Sequence, residues 1–155
     1  MKKLTLVSIL YFVFFGSSSC IKDEACQDKT IQSEAAAIAA YASANGIVGT
    51  THSSGVYYQV TVAGTGITPT ANSTVSVRYT GKLLNGTVFD SQTTTAVNFA
   101  LGGTILGFQI GLQQVSKGGT IKFIIPSSLA YGCNGTGNIP SNSILYFEVQ
   151  LIDVM

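Results

Sequence analysis

Apolar residues recur at every second position in several stretches beyond Gly55. Val75, Val77 and Tyr79 are separated by Ser76 and Arg78, and Ile121, Phe123 and Ile125 alternate with Lys122 and Ile124. Leu145, Phe147, Val149 and Leu151 share one side of a last stretch. A period of two sends one set of side chains to a single face, which predicts strands with one buried side. Residues Val56 to Val62 add a strand, and Phe99 with Leu101 another short one. Asn85-Gly86 divides the run from Val77 to Ser91, where a type I′ turn with both residues at positive φ is predicted. The return strand of that hairpin ends on Phe89 and Asp90. Gly107 to Leu112 reads as the start of a short helix. Such strands with short turns and one helix predict an α+β fold, a curved antiparallel sheet wrapped around a short α-helix.

Helical spacing dominates only near the N-terminus. From Asp28 to Ala44 the composition is rich in alanine. Ile31, Ala35, Ile38 and Ala42 recur at steps of four, three and four, and Asn45-Gly46 supplies a stop. A helix over residues 28–46 is therefore predicted, packed by its apolar stripe on the side of the domain. A dimerisation or chaperone arm is the rival reading, disfavoured by so short and alanine-rich a helix. Ahead of it, Lys2 and Lys3 precede an almost unbroken apolar run from Leu4 to Phe15, then Gly16, Ser17, Ser18 and Ser19, then Cys20. The run falls short of the roughly 20 residues a permanent membrane span needs. Residues 1–19 are read as a signal peptide, 20–27 as a polar tether and 53–155 as the main domain. Small residues before a cysteine resemble a bacterial lipoprotein signal, in which Cys20 becomes the acylated N-terminus. Ser17 stands where that motif usually has leucine, so a plain secretory signal is the alternative. Both readings export the protein.

Charge and composition remove many functions. Losing Lys2 and Lys3 with the signal turns the formal net charge from +1 to −1 and leaves Arg78 and five lysines as the cations. That charge forms no basic stripe, so nucleic acid has no electrostatic footprint here. His52 is the only histidine and sits in a Thr, Ser and Gly connector, where a solvated residue is expected. Most zinc sites and Ser-His-Asp arrangements are thereby excluded. Cys26 and Cys133 remain beside Cys20; they could pair in an oxidising compartment, but no framework spacing links them, and two free thiols are favoured over a bridge.

The hairpin ending on Phe89 and Asp90, the helix start at Gly107, Ala130-Tyr131-Gly132 in a loop, Ile139-Pro140, and the last strand from Leu145 to Leu151 occur in a fixed order. In that order they resemble the FKBP-type peptidyl-prolyl cis-trans isomerases, from about Gly55 to the C-terminus. The resemblance implies an aromatic pocket built by Tyr79, Phe89, Phe108, Tyr131 and Phe147, with Ile105 and Ile139 as aliphatic walls. It implies that the Tyr131 hydroxyl and the Ile105 N–H donate to the bound carbonyl, and that Asp90 polarises the rim without transferring a proton. Its implied partners are proline-containing polypeptides, with macrolide inhibitors as further ligands, and it implies no cofactor. Taken alone, Tyr79 and Phe147 would read as core residues and Asp90 as a solvated turn residue. Tyr131 is different, because packing has less claim on an aromatic in a glycine-rich loop.

There are departures. Phe108 stands where relatives usually carry tryptophan, Val97 falls on an aromatic wall position and Asn138 on an aliphatic rim position. The segments 102–107 and 131–140 each look one residue shorter than in small soluble members. Two functions are therefore carried forward. One is an exported, lipid-anchored prolyl isomerase of the bacterial envelope, facing the periplasm or cell surface. The other is a non-catalytic peptide-binding or chaperone lipoprotein. Since every pocket position lies beyond Gly55, the N-terminal helix is expected to be dispensable for catalysis.

Overall fold

The alternating stretches form one sheet. A computed structural model describes residues 26–155, so the signal segment and Cys20 lie outside the described residues. The strands are β1 (Thr50–Thr51), β2 (Tyr57–Val62), β3 (Thr74–Leu83), β4 (Val88–Ala100), β5 (Thr120–Ile125) and β6 (Leu145–Val154). They pair antiparallel in the spatial order β1-β2-β5-β6-β3-β4. Helix α1 (Ile31–Ala44) comes first in the chain, and α2 (Leu106–Leu112) lies between β4 and β5.

Each face of the sheet has its own apolar layer. On one side, Val75, Val77, Tyr79, Ile121, Phe123, Phe147, Val149 and Leu151 pack with Phe108 and Leu112 of α2. Close approach of α2 depends on two glycines one turn apart. A β-carbon at Gly111 would stand 2.8 Å from Phe123 Cδ1, and one at Gly107 would collide with Ile125. On the other side, Ile124 and Tyr146 are covered by Ile38 and Ala42 of α1 and by Ile47. This second layer explains why Ile124 is apolar at a position whose neighbour Lys122 is not.

Four expectations need correction. The Asn85-Gly86 turn is not type I′, because Gly86 has φ +88° while Asn85 is not among the positive-φ residues. The Gly86 N–H donates to Leu83 O, the Leu83 N–H donates to Thr87 O, and Asn85 Oδ1 accepts from Thr87 N. This is a three-residue loop in which glycine alone takes the left-handed position. Second, the return strand does not stop at Asp90. It runs on to Ala100 and includes Phe99, while Leu101 begins a single 3-10 turn. The sequence hid this because Thr93 to Ala96 bulge out opposite Arg78 alone, between the pairs Tyr79–Gln92 and Val77–Val97. A bulge that long interrupts the period of two.

Third, helix α1 starts at Ile31, with Thr30 Oγ1 accepting from Ser33 N. Its buried stripe is Glu34, Ile38 and Ala42, so Glu34 rather than Ala35 faces the domain. Fourth, Cys26 and Cys133 form a disulfide, with Cα atoms 5.4 Å apart. The end of the predicted tether is thus fastened to the domain. Packing of α1 across the sheet returns Cys26 to a loop 107 positions away, a proximity no sequence spacing reveals.

Candidate active site

Strand β3 presents Tyr79 on the α2 side of the sheet, and its two neighbours in the sheet supply the residues around it. Asp90 lies opposite Gly81 on β4, and Phe147 lies opposite Gly81 on β6. The Tyr79 hydroxyl donates to Asp90 Oδ2 at 2.5 Å. Burial, the bond to Asp90, and the negative charge beside it raise the Tyr79 pKa well above that of a free phenol. Tyr79 is therefore a neutral donor across the physiological range. A raised folded-state value favours the protonated form, so its stabilisation is complete below about pH 10, the unfolded phenol value, and is lost above it.

Beneath Tyr79 the rings form a continuous floor. Phe147 meets Phe108 edge-on at 5.2 Å between centroids and Phe89 edge-on at 5.5 Å, and it lies 5.6 Å from Phe123. Phe108 meets Phe123 edge-on at 5.5 Å and Tyr79 at 6.4 Å. These edge-to-face contacts match the quadrupoles of the rings and hold each in one orientation. Gly81 makes the arrangement possible, since a β-carbon there would stand 2.6 Å from Phe89 Cζ and 2.9 Å from Phe147 Cε1.

The resulting cleft has a volume of about 330 Å³ and is lined by Tyr79, Phe89, Asp90, Phe99, Ile105, Phe108, Tyr131 and Phe147, with Gly103 and Thr104 at one edge. Seven of the eight residues proposed from the sequence thus converge on one cavity. Ile139 does not line it; it is buried in the main apolar cluster. Phe99, Gly103 and Thr104 are lining residues that the sequence reading missed. Phe99 lies two residues after Val97 on the same strand and supplies the aromatic wall that Val97 does not. Its ring is 5.8 Å from that of Tyr79. The alternation of Val97 and Phe99 was a usable signal; for Gly81, Gly103 and Thr104 there was none.

Two residues that line the cleft carry donors without a hydrogen-bond partner among the described residues: the Ile105 N–H, just before α2, and the Tyr131 hydroxyl. Tyr131 is 38% exposed and sits at the mouth, between Ala130 and Gly132. His52 does not line the cavity; its Nδ1 accepts from the Ser54 N–H. The cleft therefore offers apolar walls, neutral donors and one carboxylate.

The pattern that defines the FKBP-type peptidyl-prolyl cis-trans isomerases matches residues 65–152. The FKBP-type peptidyl-prolyl cis-trans isomerase FkpA of Escherichia coli is 46% identical over 106 residues, covering 67% of this chain and 39% of FkpA. The crystal structure of Escherichia coli FkpA is similar with a TM-score of 0.70 at 40% identity, over 80% of this chain and 62% of that one. A peptidyl-prolyl cis-trans isomerase from Pseudomonas syringae pv. tomato is similar with a TM-score of 0.68 at 31% identity, over 83% of this chain and 98% of that one. The match spans about two fifths of the length of the curated FkpA. With the family pattern covering more than half of the residues, and its fold and aromatic cleft both present, this chain belongs to the FKBP-type peptidyl-prolyl cis-trans isomerase family.

Proposed function

We propose that this protein accelerates rotation about X-Pro bonds in exported polypeptides, by a non-covalent mechanism in the cleft floored by Phe108 and Phe147. The observation that carries this reading is the pairing of two free donors, Ile105 N–H and Tyr131 hydroxyl, with a wall of aromatic rings. The barrier to rotation is loss of amide resonance, about 18–20 kcal/mol. A twisted amide has less charge separation than a planar one, so a dry apolar site favours it over the ground state. Each tenfold gain needs only about 1.4 kcal/mol of that preference. The prolyl ring lies on Phe108, the carbonyl takes the Tyr131 and Ile105 donors, and Asp90 with Tyr79 sets the field at the rim. The same cleft would take a macrolide, more weakly where Phe108 replaces the larger tryptophan.

Turnover of a proline peptide, followed by a protease-coupled or NMR exchange assay, tests the reading. Asp90→Val and Tyr131→Phe each should lower kcat/KM without abolishing it, Tyr131→Phe by roughly two- to tenfold for a single lost neutral hydrogen bond and Asp90→Val by more, since a charged partner is removed. Phe108→Ala should cost more, whereas Phe108→Trp should preserve or raise the rate. Between about pH 6 and 8 the profile should be flat, because no histidine lines the cleft and the Tyr79 phenol is raised well above that range. A bell-shaped profile would end the non-covalent account. Wild-type turnover at the uncatalysed rate, with peptide binding retained, would favour the chaperone reading that Phe108 and Val97 suggest.

Export and anchoring rest on the N-terminal pattern and on the Cys26–Cys133 disulfide, which fits an oxidising compartment. No helix among the described residues is long and apolar enough to cross a membrane. Cys20 is the proposed lipid attachment point. Mass spectrometry of protein from its native membrane should find acyl groups on Cys20, and Cys20→Ala should release the protein or block its processing. An unmodified N-terminus elsewhere, on soluble protein, would mean a plain secretory signal.

A further inference from the structure

Glu34 is only 2% exposed, yet no cation among the described residues pairs with it. A buried carboxylate is costly unless hydrogen bonds compensate it, and here both oxygens serve one residue of the pocket loop. Oε2 accepts from the Ser127 N–H at 2.7 Å and Oε1 from the Ser127 hydroxyl at 2.8 Å. Ser127 opens the 3-10 turn that leads directly into Ala130 and Tyr131.

The far side of Tyr131 is held by the same N-terminal arm. Asp28 Oδ1 accepts from the Cys133 N–H at 2.7 Å, and Cys26 is bonded to the Cys133 sulfur. Gly132 between them has φ +55°, and any β-carbon there would collide with Asp28 Oδ1. Asn142, the one described non-glycine residue at positive φ, closes the connection. Its N–H donates to Gly132 O, while its carboxamide accepts from Lys29 N and donates to Gln27 O. The Tyr131 hydroxyl itself has no protein partner among the described residues. Its position is therefore set by the backbone on either side, and both sides are held by residues 26–34.

We propose that Glu34 and Asp28 are positioning residues of the isomerase site, which clamp the Ser127–Cys133 turn so that Tyr131 presents its hydroxyl at the cleft mouth. The N-terminal arm is then part of the active site's support, the opposite of the dispensable helix expected from the positions of the pocket residues. The proposal rests on the reading of Tyr131 as a donor to substrate. A misplaced donor loses the rate it supplies without a change in the apolar walls that bind the prolyl ring.

The test is a set of variants in the mature full chain, assayed for kcat and KM on a proline peptide. Glu34→Ala should lower kcat about as much as Tyr131→Phe, roughly two- to tenfold, with KM little changed. Glu34→Gln should recover most of the loss, since the amide oxygen still accepts from Ser127 N and the amide N–H can donate to the Ser127 hydroxyl. Asp28→Ala and Asp28→Asn should behave as a second such pair at an exposed position, so the test survives if Glu34→Ala does not fold. Combining Glu34→Ala with Tyr131→Phe should be no worse than the larger single effect. If Tyr131→Phe lowers kcat while Glu34→Ala and Asp28→Ala leave it unchanged in folded protein, the positioning role is overturned. Additive losses, or equal losses for Ala and the conservative variant, overturn it too. A Tyr131→Phe variant with wild-type kcat would instead refute the donor reading of Tyr131, and the inference would fall with it.

Discussion

Phe147→Ala is expected to cost about 3–5 kcal/mol of stability and most of the turnover. Phe147 is almost fully buried and is the ring that touches the most others: Phe108, Phe89, Phe123 and Tyr79. Its removal empties the space beneath the cleft floor and frees Phe108 and Phe89 to rotate, so the prolyl ring loses a fixed surface. A protein stable by about 5–15 kcal/mol loses its fold to such a change only near the lower end of that range. Chemical denaturation gives the first quantity and peptide turnover the second. Phe147→Leu, which keeps most of the volume, should recover stability more completely than activity, because a branched aliphatic chain cannot replace an edge-to-face contact. A Phe147→Ala protein with near-wild-type stability would mean the aromatic floor is not the foundation of this site.

The second large effect concerns the disulfide. Cys26→Ser, or reduction, should lower stability by about 2–5 kcal/mol, since the bridge closes a loop spanning 107 positions and restricts the unfolded chain accordingly. The thermal midpoint should fall by roughly 10 °C. The comparison of oxidised and reduced protein by calorimetry decides it. Identical midpoints would show that the arm's packing of Ile38 and Ala42 on Ile124 and Tyr146 holds the N-terminus without help.

Much of the cleft was legible because its residues carry two signals at once. Tyr79 and Phe147 obey the strand alternation, and with Phe89, Asp90, Phe108 and Tyr131 they stand in the order shared with a known family. Phe99 obeyed the alternation as well, but the bulge from Thr93 to Ala96 concealed that its strand was continuous with Asp90, so its place in the pocket wall was not seen. Ile139 matched the family order but is buried in the apolar cluster and does not line the cavity.

The amino-acid sequence by itself determined strands β2, β3, β5 and β6, the short helix around Gly107, the polarity of the cleft and the family, because each depends on residues close together or on a period that local chemistry sets. It also determined where the first helix ends, at Asn45 and Gly46. The tertiary structure alone decided what the N-terminal arm does. Glu34 reads as one more solvent-facing residue of an alanine-rich helix, Asp28 as a helix start and Cys26 as part of a tether. Only the docking of that helix across the sheet brings them to Ser127 and Cys133, on either side of Tyr131. Contacts between residues about a hundred positions apart depend on how two elements cross in space, and neither hydrophobic spacing nor local propensity encodes that crossing.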